Sequence, residues 1–276
     1  MRTPEFYSGR EQTYVKHFFL ERYLEQVAYH ILWFMDDFVY VDGFSGPWRS
    51  ADEKFSDTSF HIAIDVLRRV QKGMREKTGK QKTVRCIFIE KDVTPFADLK
   101  QFAESVTDMR VEPIHGEFEK AIPRLLESIG RSIALVFIDP TGWTGFGLRQ
   151  IRPLLVLRGE VLINFMFNDI NRFLDDPQPS KAASYDALFG GTDWYREFNE
   201  LASSGWSRED ALLEAYIKRV KNFGNYDYAT STRVRLPLQD RTYFHLVYAT
   251  KSWKGINVFR KVEEKAAPEQ ERVGAI

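Results

Sequence analysis

The chain has 276 residues, 39 basic and 39 acidic, and is 43% hydrophobic and 14% aromatic, so it can bury a sizeable core and carries no compositional mark of disorder. Zero formal charge removes the whole-molecule field expected of a general nucleic-acid or membrane-surface binder; any such contact needs a local patch. One cysteine, Cys86, excludes an internal disulfide framework and a cysteine-based zinc site, and no apolar run approaches the roughly 20 residues that span a bilayer, so the expectation is a soluble cytoplasmic protein with no membrane partner.

The first apolar run, residues 38–41, is β-branched and aromatic and too short for a helix; it reads as a strand. Residues 58–74 then place Ile62, Ile64, Val66, Leu67, Val70 and Met74 at mostly helical spacing, with Asp57 or Thr58 as cap, which is the pattern of a crossover helix. Strands are expected at 86–89, more weakly at 110–114, and at 134–138 and 161–165. Helices are expected between them at 95–105, 117–129 and 147–157. Nearly continuous apolar strands alternating with helices imply a parallel sheet covered on both faces.

After residue 165 the pattern changes. Residues 168–228 hold a Pro-Gln-Pro turn at Pro177, a Gly190-Gly191 break and a helix that starts at a capping-box-like Ser207 with Asp210 and stops at Gly224. Two alternating segments, 232–238 and 243–250, then read as an antiparallel pair. Five parallel strands closed by an antiparallel hairpin form the layout of the S-adenosylmethionine-dependent methyltransferase sheet. The expected fold class is therefore α/β, Rossmann-like class I methyltransferase, with helices on both faces.

In an open α/β sheet, ligands bind beyond the carboxyl ends of the strands, where strand order reverses. The first strand runs into Asp42, Gly43, Phe44, Ser45 and Gly46, an acidic and glycine-bearing loop that a cofactor can approach closely. It lacks the third glycine of a dinucleotide fingerprint, which makes a nicotinamide cofactor the poorer fit. Glu90, after the second strand, is placed to accept hydrogen bonds from both ribose hydroxyls of an adenosine cofactor. Gly116 and Glu117, after the third, face the adenine edge, and Asp139, Pro140 and Trp143, after the fourth, put a carboxylate, a rigid turn and a ring beside the reacting methyl. Each loop alone also reads as an ordinary turn or helix cap. Four in the right order are harder to assign to turns alone.

These residues resemble the three-Cys-motif partner proteins, a branch of the methyltransferase-like superfamily. The resemblance rests on Tyr40-Val41-Asp42-Gly43-Phe44-Ser45-Gly46-Pro47, on Phe88-Ile89-Glu90, on Phe137-Ile138-Asp139-Pro140-Thr141-Gly142, and on a preceding helix with Lys16, Leu20, Tyr23 and Leu24. It implies an N-terminal helical extension over 1–37 and a methyltransferase-like domain over 38–276 with the helical insertion 168–228. It also implies S-adenosylmethionine as cofactor and a separate cysteine-bearing partner protein. Trp48 stands where the family usually has a further glycine, and Glu117 where it often has aspartate.

Asp139 is the best candidate for handling the acceptor's proton, and its Asp-Pro start resembles the acidic loop with which amino-group methyltransferases hold an NH2 group. Trp143 supplies a ring that can stack on a base, although Thr141-Gly142 replace the usual proline and tyrosine. The plainer alternative has Asp139-Pro140 only turning the chain and Trp143 packed under the lid. The five histidines show no ligand spacing, so no metal is implied. A basic run from Arg68 to Arg85 falls at the end of the sheet opposite the cofactor and reads as solvated surface or a partner contact, whereas 168–228 is the expected recognition element. Two functions remain: a methyltransferase acting on a nucleic-acid or partner-presented substrate, or a degenerate scaffold that docks a partner without catalysis.

Overall fold

One seven-stranded sheet organises the described residues of this computed structural model, which are 3–46, 55–175, 178–236 and 239–274. Its strands are β1 (Asp37–Asp42), β2 (Thr83–Glu90), β3 (Arg110–His115), β4 (Ile133–Ile138), β5 (Gly159–Phe165), β6 (Tyr228–Arg235) and β7 (Thr242–Thr250). They lie in the order β3-β2-β1-β4-β5-β7-β6, with β7 antiparallel to both of its neighbours and the first five strands parallel. This is a mostly parallel, Rossmann-like sheet closed by antiparallel strands, as the alternation of apolar runs implies. The order reverses between β1 and β4, and the loops after those strands meet there.

The helices are α1 (Glu11–Phe34), α2 (Ser59–Thr78), α3 (Val93–Ser105), α4 (Phe118–Ile129), α5 (Leu148–Leu155), α6 (Phe167–Phe173), α7 (Pro179–Phe189), α8 (Trp194–Ser203), α9 (Arg208–Gly224) and α10 (Trp253–Gly274). Two cores flank the sheet. On one face Phe38, Tyr40, Cys86, Phe88, Phe137 and Leu162 meet α1, α2 and α10; on the other Val39, Val41, Ile87, Val136 and Ile163 meet α4, α5, α7 and α9. Successive strand residues point to opposite faces, so the period of two decides which polar residues share a side. Asp42, Glu90 and Asn164 share the phase of Tyr40, Phe88 and Leu162 and belong to the α1 side.

Three elements depart from expectation. α10 has no counterpart in the sequence reading; it packs along α1 and buries Phe259, Val262, Ala266 and Val273. β6 begins at Tyr228, four residues earlier than expected, because residues 228–231 pair with the end of β7. Gly224 is still helical, and the left-handed residue that ends α9 is Asn225, at φ 51°. α1 shares a core with the sheet, burying Leu20, Tyr23 and Leu24 completely. Pro47, Trp48 and Pro177 lie outside the described residues. Among the described residues no helix is long and apolar enough to cross a membrane.

Part of the basic run is paired where it stands. Arg68 pairs with Asp108, Arg69 with Glu21, and Lys82 with Asp36, while Arg85 donates to Ser128 and Ser132. Such pairs contribute little individually.

Candidate functional site

The loop after β1 is tied down by its own backbone. Gly43 N–H extends the ladder to Phe137 O at 2.9 Å, and Ser45 N–H reaches Ile89 O at 2.8 Å. A Cβ at Gly43 would stand 2.8 Å from the Phe118 ring, so any larger residue there has to displace that ring. Asp42 is fully buried; it accepts the Phe44 N–H at 3.1 Å and the Ser59 hydroxyl at 2.6 Å, joining the loop to the first residue of α2. Burial pushes its carboxyl up to about 6, against the pull of the Ser59 and Phe44 hydrogen bonds. Asp42 therefore builds the loop, and its carboxylate is spent inside it. Phe44 is half-buried against Phe118 at 5.4 Å and Phe146 at 6.4 Å, and Gly46 is half-buried at the loop's end.

Glu90 ends β2 with only 3% of its surface exposed. Its Oε1 accepts the Asp92 N–H at 2.6 Å, and burial raises its carboxyl above the ordinary value, opposed by that backbone bond. A carboxylate has about four acceptor positions, so capacity is left for hydroxyl donors. Gly116 stands beside it: its N–H bonds Glu90 O at 2.9 Å, its φ is +147°, and none of the described residues would lie within 4 Å of a Cβ there. Glu117 is exposed, holds the N-cap position of α4 without a side-chain capping bond, and pairs with Lys120 at 3.0 Å.

Asp139 follows β4, and here the structure adds two partners that the strand-end reading omitted. Lys16 Nζ, from α1, meets Oδ2 at 2.5 Å, and Asn164 Nδ2, from β5, donates to Oδ1 at 2.7 Å. Lys16 is a member of the helix that carries the family resemblance, but nothing local to it points at residue 139. Asn164 had a signal, a polar side chain in an apolar strand. Two buried polar atoms here have no hydrogen-bond partner among the described residues: Asn164 Oδ1 and Tyr40 OH, the latter on the same face as Asp42. Pro140 is buried.

Trp143 does not stand open beside Asp139. It is 7% exposed, and its ring stacks on Tyr185 of α7 at 4.5 Å. From there Tyr185, Trp194 and Phe189 continue an aromatic column into the core. This corrects the expectation of a base-stacking ring: the insertion covers it. Tyr185, Trp194 and Phe198 of the insertion are core residues, whereas Tyr195 and Trp206 are exposed.

The acceptor set suits the hydroxyls of an adenosine cofactor. A buried carboxylate with spare acceptors ends β2, an unencumbered glycine follows β3, and a second carboxylate follows β4 across the switch point.

No family model matches the chain, and no curated protein matches its sequence. Several solved structures are similar in chain course. A Legionella pneumophila protein is 9% identical, with 90% of this chain and 89% of that chain covered, at a TM-score of 0.48. A loganic acid methyltransferase with SAH is 10% identical over 100% of this chain and 90% of that one, at 0.39. A Streptomyces avermitilis protein is 10% identical over 85% and 83%, at 0.41.

Proposed function

We propose that the chain binds S-adenosylmethionine at the carboxyl ends of β1, β2 and β4 and acts as a methyltransferase on a nucleic-acid or partner-presented substrate. The observation that carries the reading is the pair of carboxylates, Glu90 and Asp139, at the ends of strands on either side of β1 at the switch point. Glu90 would hold the ribose hydroxyls, the loop of Gly43 to Gly46 and Gly116 would admit the cofactor's body, and Asp139 would face the acceptor. The cofactor supplies an electrophilic methyl group. Asp139 orients the acceptor and takes up or relays the proton that its nucleophilic atom loses.

The resemblance to the three-Cys-motif partner proteins adds a separate cysteine-bearing partner, with the exposed Tyr195 and Trp206 of the insertion as candidate contacts. One observation favours the scaffold reading instead: Trp143 is covered by Tyr185, so the acceptor loop lacks an open stacking ring. Calorimetric titration with S-adenosylmethionine and S-adenosylhomocysteine separates the two. Binding at micromolar ligand supports the enzyme; no heat and no thermal shift well above that range leaves the scaffold.

A further inference from the structure

Lys16 and Asp139 are 14% and 12% exposed, so their contact is not one of the loose pairs of an open surface. Asp139 uses one oxygen for Lys16 and the other for Asn164. Asn164 spends its amide nitrogen on that bond and is left with a buried carbonyl oxygen that accepts from none of the described residues. A purely structural ion pair at this depth is normally closed by a full set of hydrogen bonds, because each orphaned acceptor costs free energy. Here the cluster has a cation at one acceptor and a spare acceptor next to it.

We propose that Lys16 is an internal stand-in for the methyl acceptor. Its ammonium takes the seat at Asp139 that a substrate nitrogen takes, and the site thereby selects an acceptor bearing at least two N–H donors: a primary amine or an exocyclic amino group. This rests on the methyltransferase reading above. As Lys16 withdraws, one N–H of the substrate bonds Asp139 Oδ2, and Asn164 Oδ1 is the available acceptor for the second. A hydroxyl acceptor has one hydrogen to donate and leaves one of the two oxygens unpaired. The four-carbon stem of lysine lets the cation move while α1 stays fixed, and the Phe244 ring, 6.0 Å from Nζ, offers it a second resting place. In the transfer, the nitrogen lone pair forms the N–C bond, the S–C bond breaks with its electrons going to sulfur, and the nitrogen's proton passes to Asp139 or through it to water.

Sinefungin tests this, because it carries a primary amine where the cofactor carries the S-methyl group. Its affinity is compared with that of S-adenosylhomocysteine by calorimetry for the wild type, Lys16→Met, Lys16→Gln and the double variant Lys16→Met/Asp139→Asn, with melting curves as the folding check. The preference for sinefungin over S-adenosylhomocysteine should rise about tenfold or more in Lys16→Met, less in Lys16→Gln, and fall back in the double variant. An unchanged preference in both single variants, with both ligands still binding, overturns the proposal and leaves Lys16 as a structural partner. If the wild type binds neither ligand, the methyltransferase reading fails, and this inference with it.

Discussion

Tyr23, midway along α1, donates its hydroxyl to Glu160 Oε2 at 2.5 Å, joining the N-terminal helix to the start of β5 at the end of the sheet remote from the candidate site. Thr250 closes the other side, donating to Oε1 at 3.0 Å. Burial raises the Glu160 carboxyl above its ordinary value, with the bonds from its hydroxyl partners opposing. A carboxyl raised by folding contributes stability that is full at low pH and is lost as pH climbs through its folded value. Glu160→Gln keeps the shape without the charge, so it should raise the urea midpoint at about pH 8 and flatten its fall from about pH 5. A loss of stability that grows as pH rises would show that the ionised form is the one the site is built for.

Asp42 has the same sign. Its displacement from 3.8 to about 6 corresponds to about 3 kcal/mol of stability, present below pH 3.8 and lost as pH passes through 6. Carboxyl-carbon NMR should show a residue titrating near pH 6 that disappears in Asp42→Asn. If Asp42 titrates with the surface carboxylates, the loop after β1 is more open to water than its hydrogen bonds indicate.

Glu90→Ala should weaken S-adenosylhomocysteine binding by roughly 1.5 to 3 kcal/mol, the range for hydrogen bonds to a charged acceptor. Glu90→Gln retains an acceptor for the Asp92 N–H and should lose less. The melting temperature should change little in Glu90→Gln. Wild-type affinity in Glu90→Ala would remove the ribose assignment while leaving the fold untouched.

Gly159 and Gly116 have nearly the same backbone, φ +148° and +147°, and opposite surroundings. A Cβ at 159 would stand 1.9 Å from the carbonyl oxygen of Ala134 on β4, whereas one at 116 would meet none of the described residues within 4 Å. Gly116→Ala should cost on the order of 1 to 3 kcal/mol from backbone strain alone, and Gly159→Ala should exceed it by several kcal/mol or fail to fold. Chemical denaturation of the two variants side by side is the check. Equal costs would mean that β4 and β5 pair in another register.

The parallel strands and their alternation with helices were legible in the sequence because buried parallel strands must be apolar on both faces, and runs such as Val136, Phe137 and Ile138 can do little else; the antiparallel pair was legible from its alternation. Glu90 and Asp139 were legible for the same reason, as the polar residues that end such runs. α10 was not, although Ile256, Phe259, Val262 and Ala266 recur at helical spacing, because the segment is largely charged and its apolar stripe has meaning only once α1 lies against it. Trp143 looked the same as an open ring or a packed one, and the return of α7 over the sheet decided it. The partnership of Lys16 with Asp139, 123 residues apart, is a matter of tertiary structure alone. Local pattern reports whether a residue is buried and on which face, whereas the choice of partner between two charges is made by the packing of the elements that carry them.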